Sequence, residues 1–458
     1  LSDGFPLPLT KRSYASLRKE LENKPLLSLL TDEGFLPNYS FPESGVTLKS
    51  VLWRRKNLSD NSIDSSEDLP PITYERPANL AIRELVPNGQ FYAQGRRVTV
   101  DQVDPNLNQT EKWRFCPSCS YSCRSTDREF NFNECPVCKN NGYADQGQIK
   151  EIIKLRHVQA TTEDRKSRFG DDNDERNTNF FLREFFIIPD FKRREISLVF
   201  ADDEFPFGVE YIASSVFREV NFGKVGNIGI SHNIAGKVLR VRGFDICSSC
   251  GKVQNQNITN SNNHTWTCKY RDKPEEARSQ NFKFIYREFK SQSIRFLLPT
   301  NEFWDNTGKA SFVAALHLGL KECFGGKVEH LHSSLCEEPQ IGSSQSKTFL
   351  YLYDSVPGGT GYVRQLMELE GRDLLKVFKK SLAFLKKCDC SNGCYKCIFQ
   401  YRQRYDHENI SKRRSINQLE NIINRWKTLN VSDNSLSEII INSKIESELE
   451  LRFLEKLR

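Results

Sequence analysis

One methionine in 458 residues, seven histidines and no run of about 18 apolar residues mark this chain by what it has little of. The missing apolar run excludes a membrane-spanning helix, and no basic-then-apolar leader opens the sequence. No window reads G-x4-G-K-[ST], so a phosphate-cradling loop for ATP is excluded within these residues. Ile196 to Phe200, followed by Asp202, Asp203 and Glu204, mimics the strand and acidic pair that accompany such a loop, but alone it makes no nucleotide site. Asp354 is a lone carboxylate, whereas a two-metal nuclease needs several acids around one phosphate. No catalytic residue is assigned, and the chain is expected not to be an enzyme by itself. It begins at Leu1 without methionine and ends at Arg458 inside a helical pattern, as a piece of a longer protein would.

Cysteine, by contrast, is plentiful at 14. Cys388, Cys390, Cys394 and Cys397 stand as C-x-C-x3-C-x2-C, close enough to converge on one tetrahedral ion with little loop to close. Soft thiolates on short loops make zinc the first choice, with an iron–sulfur cluster or disulfides as the alternatives. With no secretory segment, these cysteines argue for a reducing compartment, hence the cytoplasm, where disulfides are rare. Cys116, Cys119, Cys135 and Cys138 form C-x2-C-x15-C-x2-C, the spacing of two zinc knuckles meeting across a hairpin. Cys123 is a fifth thiol there, either a replacement for Cys119 or a spare. Cys247 and Cys250 open a further knuckle, which His264 and Cys268 complete as C-x2-C-x13-H-x3-C. Two to three zinc ions per chain follow. Cys323 and Cys336 are read as core thiols, His330 and His332 as a surface pair on one side of a strand, and Asp171 to Glu175 as an acidic loop lacking the glycine and distal glutamate of an EF-hand.

Charge is uneven. Lys376 to Lys427 holds thirteen Lys or Arg against four Asp or Glu, a balance of +9 within a chain of net +7. Lys379, Lys380, Lys386 and Lys387 close a helix, and Arg402, Arg404, Lys412, Arg413 and Arg414 follow the four-cysteine group, interleaved with Tyr395, Phe399, Tyr401 and Tyr405. Basic residues among aromatics suit phosphate contact plus base stacking, so these nine are the candidate DNA contacts.

The hydropathy pattern predicts a Pro-broken loop followed by a strand over residues 34–55, strands over Phe282–Pro299, strands of a small sheet within Asn79–Asp104, and a strand-rich stretch from Glu210 to Gly243. Helices are predicted over residues 1–33, over Lys309–Phe324 and after the turn Val356-Pro-Gly-Gly-Thr-Gly361, where Leu374, Phe378, Leu382 and Leu385 recur at helical spacing. Ser432–Ser437 reads as a polar linker, and Ile445, Leu449, Phe453 and Leu457 as a last helical stripe. The expected fold class is α+β and multi-domain, with small zinc-stapled β-rich modules ahead of an α/β C-terminal zinc-binding domain. The expected division is residues 1–112, a helical lead-in with a small β region; 113–150, a zinc-ribbon-like module; 151–300, a β-rich module with the second knuckle; 301–427, the α/β domain; and 428–458, a linker and first helix of a further domain.

The segments Leu350–Leu366 (LYLYDSVPGGTGYVRQL) and Cys388–Cys397 (CDCSNGCYKC), with the basic tail after them, resemble the Mrf-type zinc-binding (MZB) domain at the C-terminus of certain superfamily 2 DEAD/DEAH-box helicases. The likeness extends to GFLPNYSFP at residues 34–42, GFDICSSCG at 243–251 and REFKSQSIRFLLP at 287–299. It implies metal ligands at Cys388, Cys390, Cys394 and Cys397, and a parent ATP-dependent helicase, with ATP bound only in a core outside this chain, acting in DNA repair or anti-phage defence. The closing segment SKIESELELRFLEKLR resembles the first helix of PD-(D/E)XK nuclease domains. Two readings follow: a DNA-engaging accessory region whose partner is single-stranded DNA or a strand junction, or an assembly module docking other subunits of a defence or repair complex.

Overall fold

In this computed structural model the described residues are 26, 45–55, 66–108, 110–168, 181–200, 205–254, 263–272, 282–303, 305–340, 346–399 and 407–439. The lead-in pattern and the motif at 34–42, the acidic stretches at 171–175 and 202–204, Tyr401, Arg402, Arg404, Tyr405 and the terminal stripe beyond 440 lie outside them.

Alternating hydropathy builds two main sheets. The smaller centres on Gly45–Arg55, paired in parallel with His157–Glu163 and antiparallel with Ile72–Pro77. Val46, Leu48 and Leu52 enter its core beside Val98, Val158 and Ala160. Where strands of a small sheet are expected within Asn79–Asp104, the first part of the stretch is instead a helix, α1 (Ala78–Glu84). Ala81, Ile82 and Leu85 are buried there at helical spacing, in a run too short to fix the period. Gln90–Ala93 and Arg96–Thr99 then form the hairpin.

Among the described residues the larger sheet has twelve strands. Three long ones carry it: β1 (Gly208–Ile234), β2 (Phe282–Leu298) and β3 (Ser346–Asp354), with β2 antiparallel to both of the others. Ile294 to Leu298 are all buried, as expected for a central strand covered on both faces. On one face Tyr211, Ile294, Phe296, Leu350 and Leu352 meet the helices; on the other Leu297, Phe349 and Tyr351 pack with Phe217 and Leu436. Thr110–Phe115 and Ile149–Lys154 join the same sheet, the latter parallel to β2. Strands from residues 113–150, 151–300 and 301–427 therefore share one hydrogen-bonded layer.

Three helices cover the first face: α2 (Asn306–Phe324), α3 (Tyr362–Lys387) and α4 (Lys412–Arg425). Asp305 caps α2 by accepting from the Gly308 N–H at 2.7 Å, so the helix starts ahead of the expected Lys309. Helices α2 and α3 touch backbone to backbone at Gly319, where a Cβ would stand 2.4 Å from the Val377 carbonyl oxygen. Ser381 Oγ donates to the Ala315 carbonyl beside it. Helix α3 is not continuous: Leu369, Glu370 and Gly371 have left-handed φ of 50°, 56° and 73°, and the basic half of the helix follows this break. Among the described residues no helix is long and apolar enough to cross a membrane.

The expected linker Ser432–Ser437 is not a free tether. Leu429–Val431 pairs with the strand Arg194–Phe200 and forms the edge of the sheet there, and Ser435 and Leu436 are buried beyond it. Composition misleads here because the serine hydroxyls serve a buried cation: Arg295 Nη1 and Nη2 donate to Ser437 Oγ at 2.9 Å and Ser435 Oγ at 3.1 Å.

One half-buried histidine sets a pH dependence. His232 Nδ1 lies 2.8 Å from Lys150 Nζ, and burial, then the lysine charge, push its pKa down to about 4 from the ordinary 6.5. Between pH 6.5 and 4 the unfolded chain takes up a proton that the native chain refuses, so native stability falls as pH drops through that window. In His232→Gln this part of the pH slope is expected to vanish; urea midpoints at pH 7 and pH 5 measure it, and an identical slope in both proteins would remove His232 as the cause.

Candidate metal centres and basic face

Among the described residues, three groups of four each bring their ligand atoms within 4.8 Å of one another: Cys116, Cys119, Cys135 and Cys138; Cys247, Cys250, His264 and Cys268; and Cys388, Cys390, Cys394 and Cys397. The twelve residues expected as ligands are thereby brought together in the expected sets.

Each group is built from short turns. In the first, the strand ending at Phe115 delivers Cys116, whose sulfur accepts from the Ser118 N–H at 3.4 Å, while Cys135 closes a second turn by accepting from the Lys139 N–H. The Cys116 and Pro117 carbonyls accept from the N–H groups of Ala235 and Gly236, fixing the group to the turn after β1. Cys123 is the spare thiol: its sulfur bonds to the Tyr143 hydroxyl at 2.8 Å, outside the group. In the second, Gly251 (φ 71°) donates to the Cys247 carbonyl, and its own carbonyl accepts from the Val103 N–H. A side chain on Gly251 would run into the Val103 backbone. In the third, the end of α3 supplies Cys388, and the Cys394 N–H donates to Cys397 Sγ at 3.3 Å.

The separations fit one ion per group. Metal–sulfur bonds of about 2.3 Å give a tetrahedron with edges of about 3.8 Å. The observed sulfur pairs are 3.5 Å for Cys116–Cys138, 3.6 Å for Cys119–Cys135, 3.7 Å for Cys247–Cys268 and for Cys388–Cys394, and 3.5 Å for Cys390–Cys397. His264 Nδ1 stands 3.6 Å from Cys250 Sγ and 3.3 Å from Cys268 Sγ. A disulfide needs about 2.05 Å, and all fourteen cysteines are free thiols. A cluster of several irons divides its four thiolates among two or more metals and sets sulfurs on different irons farther apart than this.

Zinc takes cysteine as the thiolate, and within each group the thiols are split, with Cys116, Cys119, Cys247, Cys390 and Cys397 pushed up and some of their partners pushed down. Hydrogen bonds from Cys116, Cys119 and Cys135 hold Cys138 far below the usual thiol range. That from Cys247 leads in bringing Cys250 down to about 4. At Cys394 burial raises the pKa, but the hydrogen bond to Cys397 and others overcome it, leaving about 7. Four thiolates around a dication would leave a net charge of −2 in the third group. Lys412, 7% exposed, answers it: its ammonium donates to the carbonyls of Cys388 and Cys390, the latter at 2.9 Å.

That placement changes the reading of Lys412, grouped in sequence with the DNA contacts. Its charge is consumed inside the metal knot, because α4 starts there and its first turn faces inward. Arg414 is half-buried and paired with Asp305 at 3.0 Å. Lys379, Lys380, Lys386, Lys387 and Arg413 are exposed. Lys386 pairs with Glu420 at 2.6 Å, and Lys380 donates to the Glu322 carbonyl. Next to them Tyr395 stands 79% exposed between two ligands, held edge-on by Phe399 and His407. The turn Pro357–Gly361 serves Asp354: the buried carboxylate accepts from the N–H groups of Val356 and Thr360 and from the Thr360 hydroxyl. His330 meets that same hydroxyl at 2.8 Å, whereas His332 stacks on Tyr353. Sequence reasoning passed over Trp266, 85% exposed within the second group; its position between two ligands was the available signal.

The comparisons with known proteins fit this geometry. Residues 312–398, which include the third cysteine group, match the family described as MZB, the MrfA Zn-binding domain. An uncharacterized protein of Methanocaldococcus jannaschii, MJ1572.1, is 32% identical over 79 residues, 17% of this chain and 67% of that protein. Druantia protein DruE of Escherichia coli (strain UMEA 4076-1) is 21% identical over 427 residues, 85% of this chain, which spans only 21% of that relative's length. Two crystal structures of the DUF1998 helicase MrfA, one bound to DNA and one to DNA and AMPPNP, align over 83% and 84% of this chain and 34% and 32% of theirs, at 9% and 8% identity and TM-scores of 0.35 and 0.30. Those two alignments are too loose to carry an argument. The sulfur geometry and the family match agree on residues 388–397, and the chain belongs to the proteins that carry the MrfA Zn-binding domain.

Proposed function

We propose that this chain is the accessory C-terminal, zinc-stabilised, DNA-engaging region of an ATP-dependent DNA helicase that works in the cytoplasm, in DNA repair or anti-phage defence. The observation that carries the reading is the lysine ridge of α3. Lys376, Lys379, Lys380, Lys386 and Lys387 are exposed, while Leu374, Val377, Phe378 and Leu385 are buried against the sheet. The ridge ends at a metal knot that displays Tyr395 and Lys396. Such a surface offers cations to a phosphate backbone and an aromatic face to a base. The MZB match supports a helicase parent, and the Druantia relative supports defence. One zinc in each of the three groups would hold the turns rigid. In this reading residues 301–427 are the zinc-binding domain proper, 113–150 and 151–300 carry the other two zinc sites, and 1–112 and 428–458 lead from the motor and into a further domain. ATP chemistry belongs to the motor.

Salt dependence tests it. Affinity for single-stranded DNA is expected to fall steeply with salt, and the double variant Lys379→Ala, Lys387→Ala to flatten the log–log slope by about 0.7 per lost phosphate contact. Fluorescence anisotropy across a salt series reads both. A chain that holds its zinc yet binds no DNA at low salt would instead be an assembly module whose knots dock partner subunits.

A further inference from the structure

We infer that the second metal group carries a base-stacking platform, Trp266 with Arg271, for one unpaired base of a single-stranded nucleic acid. The inference rests on the DNA-engaging reading and adds a site distinct from the α3 ridge. Trp266 lies between His264 and Cys268, two of the four ligand residues, so its backbone is pinned by the group while its indole projects, 85% exposed. Large aromatics are normally buried, and leaving this one in water forfeits the favourable burial of its ring. The Arg271 guanidinium stacks over the indole, 3.6 Å from the ring centroid. It covers one face with a flat cation and leaves the other for a flat ligand. Lys269 is exposed one residue beyond Cys268.

The ligand class follows from these shapes. A planar π face beside Arg and Lys matches a nucleobase with its phosphate, since stacking is indifferent to base identity and the cations supply the backbone contact. Bases in a duplex are already stacked on their neighbours, so the platform selects unpaired ones. The third group shows the same plan, with Tyr395 exposed between Cys394 and Cys397 and Lys396 beside it.

The test uses the whole chain and a fluorescein-labelled oligothymidylate at fixed low salt. Trp266→Ala is expected to weaken binding about tenfold or more, as loss of one base stack does, and Trp266→Phe to restore most of it. Zinc content should match the parent chain in both variants, and the salt slope should stay unchanged in Trp266→Ala, because stacking releases no counterions. Unaltered affinity in Trp266→Ala, with the parent's salt-dependent binding intact, would overturn this inference alone. No binding by the parent chain would overturn the DNA-engaging reading and this inference with it.

Discussion

Cys397→Ser is expected to remove one zinc equivalent from the purified chain and to unfold the region around α3 and α4 at temperatures where the parent is native. Structural zinc contributes folding free energy outright, with apparent binding of about 10–16 kcal/mol in small zinc modules near neutral pH. Cys397 is buried, and its sulfur lies 3.5 Å from both Cys390 and Cys394. Losing the ion does more than open a loop. Lys412 would face the two carbonyls it binds without the negative charge that keeps it there, and α4 begins at that lysine. Ser415 and Gln418 of α4 hydrogen-bond to carbonyls of α2, so the disturbance reaches the helical layer. Elemental analysis and a thermal scan by circular dichroism check both halves. Full zinc content in Cys397→Ser, or an unchanged melting temperature, would show that this group holds no stabilising ion.

Arg295→Met is expected to cost about 3–5 kcal/mol, the other large effect, because it strands a buried carboxylate. Arg295 and Glu210 are both fully buried and stand opposite each other on β2 and β1. The guanidinium also meets Glu338 at 3.1 Å and stacks on Phe349 at 4.2 Å. Glu338 in turn accepts from the Tyr351 hydroxyl at 3.2 Å, and Glu210 from the Leu436 N–H at 3.1 Å. Four strands and the segment 435–437 thus share one ionic knot on the face away from the helices. Breaking one partner costs more than replacing the pair, so Arg295→Met with Glu210→Leu should recover stability relative to Arg295→Met alone. Urea denaturation of the two single variants and the double variant measures the coupling. Strict additivity would mean that the two side chains act independently and that the pairing carries no weight.

Legibility in the sequence followed distance along the chain. The four ligands of Cys388–Cys397 fall within ten residues, and those of Cys116–Cys138 come as two close pairs, so local geometry alone required convergence. His264 and Cys268 were found because Cys247 and Cys250 need partners and a four-residue step offers two. The buried stripe of α3 was legible from helical spacing, and with it the exposure of Lys379, Lys380, Lys386 and Lys387. Short segments were less so: Ala78–Glu84 spans two helical turns, too little for the period of 3.6 to separate from the period of 2.

What the sequence by itself determined is therefore local: the thiol clusters, the long strands, the amphipathic helices and the concentration of positive charge. Tertiary structure alone decided what depends on register and on packing between distant segments. Register across β1 and β2 sets Glu210 against Arg295, 85 positions apart, and no local pattern encodes that pairing. Packing of α4 on the third metal group turned Lys412 inward while Arg413 stayed in solvent. Docking of the chain after Val431 made Ser435 and Ser437, residues that composition assigns to a linker, partners of the buried Arg295. In each case a charged or polar side chain was assigned by which partner reaches it, and partners are brought together only when the chain is folded.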